Sequence, residues 1–168
     1  IVSSSDLSAD GLGELPERAV AMAKSVPEDP FCGLADPDDL LSGKGPDLDM
    51  YDAAEPSAET LIDWASRAEE AALAVPGVTN SEGGQAGWSM AAVALAATNG
   101  MAHAYRRSQF SVAASVLAGE GTAMERDYDF SSAVHAADLA APEDIGRAAG
   151  EKAVRRLTPR QVETTQVP

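Results

Sequence analysis

The sequence predicts an α+β fold: an antiparallel β-sheet, its strands within residues 78–130, flanked by helices near residues 8–25, 58–74 and 142–157. Three observations carry that reading. Trp88–Leu95 is an apolar run without a charge, and it ends at Thr98-Asn99-Gly100 before a second run begins. Asn-Gly between apolar runs is the strongest short-range hairpin signal. Phe110–Val116 then alternates, with Phe110, Val112, Ala114 and Val116 on one side and Ser111 and Ser115 on the other, the period of a half-buried strand. On both flanks the apolar residues recur instead at spacings of three and four, between helix start and stop residues.

Taken in order, Ile1–Ser4 reads as the tail of a strand. Ser8 can cap the first helix, whose apolar stripe is Leu12, Leu15, Ala19, Met22, Ala23 and Val26. Gly11, Gly13 and Pro16 weaken its early turns, so the regular part is expected to begin near Leu15. Residues 27–56 hold five of the ten prolines and seven aspartates, the texture of a loop-rich linker with one short helix at Asp38–Leu41. Ser57 caps the clearest helix, Ala58–Ala74, which carries Glu59 in its first turn and stops at Pro76-Gly77. Its expected buried stripe is Leu61, Ile62, Ala65, Ala68, Ala72 and Leu73.

Gly83, Gly84 and Gly87 read as a turn ahead of the strands. Three or four strands are expected within residues 78–130, on the runs Trp88–Leu95, Met101–Ser108, Phe110–Val116 and Ala123–Phe130, with a turn at Gly119-Glu120-Gly121. The last strand places Met124, Arg126, Tyr128 and Phe130 on one face and Glu125, Asp127 and Asp129 on the other. Residues 131–141 read as a connector. The final helix opens on Pro142 with Glu143 and Asp144 behind it and closes at Arg155-Arg156-Leu157, so both ends complement the helix dipole. A β-type run at Val162, Thr164, Thr165 and Val167 comes last.

Composition narrows the function classes. The net charge of −15 is lopsided: residues 1–77 carry 17 Asp and Glu against 4 Lys and Arg, a balance of −13. Such a surface repels a phosphate backbone, which argues against direct nucleic-acid binding. No run of about 18 apolar residues is present, so no membrane helix is expected. The single cysteine, Cys32, allows no internal disulfide and fits a reducing, cytoplasmic setting.

Candidate chemistry is sparse. Cys32, His103 and His135 are the only soft metal ligands or nucleophile partners, and none pairs with another at helical spacing. Glu125, Asp127 and Asp129 form a carboxylate row that could hold Ca²⁺ or Mg²⁺, but a solvated polar face is the expected reading. Arg126, on the opposite face, needs an ion pair or a docking contact. No catalytic, metal or cofactor residue is assigned. Glu125, Arg126, Asp127 and Tyr128 are the candidate interaction residues.

Several stretches resemble one family in the family's own order: Ser4-Ser5-Asp6-Leu7-Ser8, Pro46–Asp52, Gly77–Gly83, Met124-Glu125-Arg126-Asp127-Tyr128, and the tail from Ile145-Gly146 to Arg160. The chain is similar to the PmbA/TldD proteins, and within them to the PmbA (TldE) branch. The resemblance implies that residues 1–55 are the end of an N-terminal domain plus an acidic Pro-rich linker. Residues 56–168 would then be the middle α+β domain, and a large C-terminal domain would lie outside this sequence. It implies zinc chemistry only in a TldD-type partner, which carries an HExxxH motif. The PmbA-type subunit would be non-catalytic, pairing with a TldD-type subunit or with itself and helping to handle unfolded peptides. The family also carries the name modulator of DNA gyrase, so an acidic module that acts by binding gyrase is the alternative expectation. A metal-dependent enzyme built on Glu125, Asp127 and Asp129 is the third.

Overall fold

The alternation along residues 110–118 decides where the core lies. Phe110, Val112, Ala114, Val116 and Ala118 are all buried on one face of a single strand, β2 (Ala102–Ala118). In this computed structural model, which describes residues 1–41, 43, 45–160 and 163–166, β2 is the centre of a three-stranded antiparallel sheet of order β1-β2-β3. β1 is Val78–Ala96 and β3 is Glu125–Ala133. The α+β class and the antiparallel sheet are as the sequence predicts. Val162 and Val167 of the closing β-type run lie outside the described residues, and Thr164 and Thr165 are in no regular element.

Three strands stand where the sequence suggested up to four. Met101–Ser108 and Phe110–Val116 merge into β2, and the glycines do not turn: β1 runs straight through Gly83, Gly84 and Gly87. The glycines serve packing and twist. A Cβ on Gly84 would lie 2.0 Å from the carbonyl oxygen of Ala65 in helix α2 (Ala58–Leu73), so only glycine admits the helix. Gly83 has φ +114° at the register shift between Ser81 and Gly83, the backbone of a β-bulge.

Helices α2 and α3 (Pro142–Arg156) supply the rest of the core through Ala68, Ala72, Ile145, Ala149 and Ala153. They approach closely. A Cβ on Gly146 would lie 1.9 Å from the Ala68 carbonyl oxygen. Ala68 and Ala72 of the expected stripe of α2 are buried, and the spacing corrects the rest of it. The face that meets its neighbours accepts alanine, whereas Ile62 and Leu73 are 65% and 45% exposed. The predicted Ser57 cap is present, its hydroxyl accepting the Thr60 N–H at 3.2 Å. Beyond Ala133, β3 gives way to a 3₁₀ turn at Ala136–Asp138.

The chain divides into two compact units, one of Ile1–Leu40 with Ala97–Met101 and one of Leu41–Ala96 with Ala102–Pro168. All elements above belong to the second. In the first, helix α1 (Ala9–Lys24) starts six residues before the expected Leu15 and holds Pro16 inside it. The Ser8 hydroxyl accepts the Gly11 N–H at 3.1 Å and Asp10 complements the dipole, which supports the turns the glycines weaken. None of the predicted stripe of α1 is buried, Leu12 and Met22 being about half exposed. Ile1–Ser4 forms no strand, and the short linker helix is a 3₁₀ turn at Pro37–Asp39. The hairpin turn is where Asn-Gly places it: Gly100 has φ +97° and the Asn99 amide donates to the Ala35 carbonyl at 3.0 Å.

Candidate functional site

Side chains on β3 divide strictly by parity, and this splits the four predicted interaction residues two and two. Glu125 and Asp127 turn toward α3, while Arg126 and Tyr128 face outward. The expectation of a solvated acidic face is overturned. Arg156 of α3 lies 3.5 Å from Glu125 and 3.3 Å from Asp127, and Lys152 lies 2.9 Å from Asp129. Two cations one helical turn apart on α3 thus serve the three carboxylates, Arg156 facing Glu125 and Asp127 and Lys152 facing Asp129, the i and i+4 spacing that keeps side chains on one face. The Tyr128 N–H, followed by Arg156, holds the Asp127 carboxyl below its usual range.

The outward face carries the candidate site. The Arg126 guanidinium pairs with Glu82, and the Ser115 hydroxyl donates to the same Glu82 oxygen at 2.7 Å. The Arg126 side chain, then the Ser115 hydroxyl, lowers the Glu82 pKa, and Glu82 raises that of Arg126 in return. Next to this ion pair, Tyr128 and Phe130 stack with centroids 6.4 Å apart and planes at 22°, and both rings are more than half exposed. Gly83, Gln85, Ala113, Ser115, Arg126 and Tyr128 line a shallow depression of about 210 Å³ there. α2 and α3 cover the opposite face of the sheet, so this side offers apolar rings beside a satisfied charge pair.

Arg126 therefore finds the ion pair its position demanded, and Glu82, Ser115 and Phe130 join the site beside the candidate interaction residues. Register joins them. Every β1–β2 pair from Ala96↔Ala102 to Gly83↔Ser115 keeps the register that the Asn99-Gly100 turn sets, and β3 adds Tyr128 opposite Ser115. Extending the hairpin register down the sequence would have placed Gly83 opposite Ser115. The one-residue shift that puts Glu82 within reach leaves no such signal.

A second cluster lies where β3 stops. Ser108, 4% exposed, donates its N–H to the Met50 carbonyl at 3.1 Å and its hydroxyl to the Val134 carbonyl at 2.7 Å. That hydroxyl accepts the Asp52 N–H at 2.8 Å, and the Asp52 carboxylate accepts the Ala136 N–H at 2.8 Å. His135 Nε2 sits 3.1 Å from the Asp49 carbonyl oxygen and 3.3 Å from its carboxylate. Arg106 stacks over the Tyr51 ring at 4.3 Å. The acidic linker is thus tied to the sheet, and His135 is engaged there.

Among the described residues no three His, Cys, Asp or Glu side chains converge. Cys32 is exposed. The Glu125, Asp127 and Asp129 row is committed to Arg156 and Lys152. Among the described residues no helix is long and apolar enough to cross a membrane.

Residues 51–157 match the family model described as the PmbA/TldA metallopeptidase central domain. Metalloprotease PmbA of Escherichia coli O157:H7 is 35% identical over 99% of the chain, and a PmbA homolog of Haemophilus influenzae is 34% identical over 99%. The chain spans 37% of the length of each. A crystal structure from Bacteroides thetaiotaomicron, of a protein named as a candidate modulator of DNA gyrase, superposes with a TM-score of 0.83 at 25% identity, covering 96% of this chain and 38% of that one. TldE of Thermococcus kodakarensis shares the fold at a TM-score of 0.63 and 20% identity, over 91% of this chain and 34% of that one. With the central-domain model covering the sheet, α2 and α3, the chain belongs to the PmbA/TldD family.

Proposed function

We propose that this chain is a non-catalytic part of a PmbA/TldE-like subunit, acting in the cytoplasm to bind a TldD-type metallopeptidase subunit and to help handle unfolded peptide. In this reading residues 56–168 are the middle domain and residues 1–55 the end of an N-terminal domain with its linker. The observation that carries it is the open sheet face, where the exposed Tyr128–Phe130 stack borders the Glu82–Arg126 pair. Exposed rings rimmed by satisfied polar groups are the usual anatomy of a docking surface, and aromatic anchors dominate binding energy. Any zinc chemistry would come from the partner, since among the described residues no three His, Cys, Asp or Glu side chains converge. Gyrase modulation is favoured only by names given to similar proteins.

Affinity measurement against the TldD-type subunit of the same organism tests the reading. The wild-type chain is expected to bind. A Tyr128→Ala, Phe130→Ala double variant is expected to lose about tenfold or more in affinity, the size of a hot-spot truncation. Unchanged affinity in the variant would remove the sheet face from the interface. Binding to gyrase but not to the TldD-type subunit would establish the alternative.

A further inference from the structure

We propose that His135 is a pH-operated latch: protonated, it clamps the Asp49–Met50 end of the acidic linker to the edge of the sheet, and neutral, it lets that end loosen while Asp52 stays tied. The geometry begins with β2. β3 pairs with it only as far as Phe110↔Ala133, so the β2 edge before Phe110 has no strand beside it on that side. The linker takes the vacant place, and the Ser108 N–H finds the Met50 carbonyl there.

Most of the ties are backbone or hydroxyl hydrogen bonds that do not titrate near neutral pH. The Asp52 carboxyl is held below its ordinary range by the N–H groups of Ala136 and Ala54, so it stays ionised. His135 is the exception, since imidazole is the side chain that changes charge in the neutral range. It faces Asp49 and Asp52 on the linker and Asp138 on its own 3₁₀ turn, all acidic. The other charged or titratable groups of the cluster, Arg106 and Tyr51, are stacked on each other. The Asp49 carbonyl, then the three carboxylates, raises the His135 pKa above 6.5. The sign follows. The contribution is fully present below the ordinary histidine value and is lost as pH climbs through the raised one.

Asp49 itself has φ +50°, a left-handed conformation that disfavours residues with a Cβ. The His135 contact opposes that cost on both the carbonyl and the carboxylate of the same residue. Removing the imidazolium charge leaves the strained residue weakly held while the Asp52 ties beyond it persist. Release therefore begins at the Asp49 side and reaches Met50 next.

Amide hydrogen exchange of the full chain by NMR reads this directly, because the Ser108 N–H is bonded to the Met50 carbonyl. With rates corrected for intrinsic pH dependence, Ser108 protection is expected to fall about twofold to fivefold between about pH 5.5 and about pH 8.5. Val116 in the core of β2 should not change. In His135→Gln the Ser108 protection should sit at the lower level at both pH values, and Asp49→Asn, in the exposed linker, should shrink the step. A Ser108 protection that is the same at both pH values in the wild type, or a step that survives in His135→Gln, would overturn the latch. The wild-type titration decides the matter even where a variant folds poorly.

Discussion

A methyl group on Gly146 would lie 1.9 Å from one carbonyl oxygen of α2, while a methyl group on Gly13 of α1 would meet nothing within 4 Å. Both glycines are helical, so both gain about 1 kcal/mol of helix propensity on change to alanine. At Gly146 overpacking costs about 1–3 kcal/mol or more and wins, because the obstacle is backbone that cannot rotate away. Gly146→Ala is expected to lower stability in denaturant unfolding and Gly13→Ala to leave it equal or slightly higher. Equal effects at the two sites would refute the close approach of α2 and α3. The phenylalanines give a second contrast. Phe110 is 0% exposed and Phe130 is 61% exposed. Phe110→Ala should cost about 3–5 kcal/mol, and Phe130→Ala about 0.5 kcal/mol or less. A large loss at Phe130 would mean that the open sheet face is a structural element rather than a docking surface. The alternation of residues 110–116 made the first of these roles legible in the sequence. The alternation of residues 124–130 left the second open, because period 2 groups residues by face without saying which face α2 and α3 will cover.

Between elements, charge pairs bind the helical layer together and to the sheet. Arg67 of α2 holds Glu143 of α3 through two hydrogen bonds, at 2.7 Å and 3.0 Å, while Lys152 and Arg156 hold β3. All are partly exposed, so each contributes little alone. They share a sign, however. Glu143, lowered first by Arg67, Glu82, lowered first by Arg126, and Asp52 and Asp127, lowered first by backbone N–H groups, all sit beneath their ordinary 4.5 or 3.8. Carboxyls with depressed folded values stabilise above the unfolded value, and that contribution is lost as pH falls through the folded one. The melting temperature followed by circular dichroism should be nearly level down to about pH 5 and then decline as these groups protonate. A level curve to about pH 2 would contradict the pairing. Helix types and starts were legible here, since Ser8, Ser57 and Pro142 stand where caps and first turns require them. The buried face of α2 was legible in part: Ala68 and Ala72 of the expected stripe are buried, whereas Ile62 and Leu73 are exposed. Hydrophobicity favoured Ile62 and Leu73, but the short distance to α3 and β1 selected alanine.

Across the whole molecule, the −15 charge and its concentration in the first 77 residues were readable by counting. So were the element types, the Asn99-Gly100 turn and hence most of the β1–β2 register, because these depend on backbone preference and spacing within a few residues. Tertiary structure alone decided three things. It turned Gly83, Gly84 and Gly87 from a presumed bend into a strand that passes close under α2. It aimed the acidic side of β3 at Lys152 and Arg156 and left Tyr128 and Phe130 outside. It brought Glu82 to Arg126 and Asp49 to His135, pairs separated by 44 and 86 residues. Local chemistry sets the phase of a strand or helix. The side that becomes interior, and the distance at which two backbones pass, follow from what packs against it, and that partner lies far away in the chain.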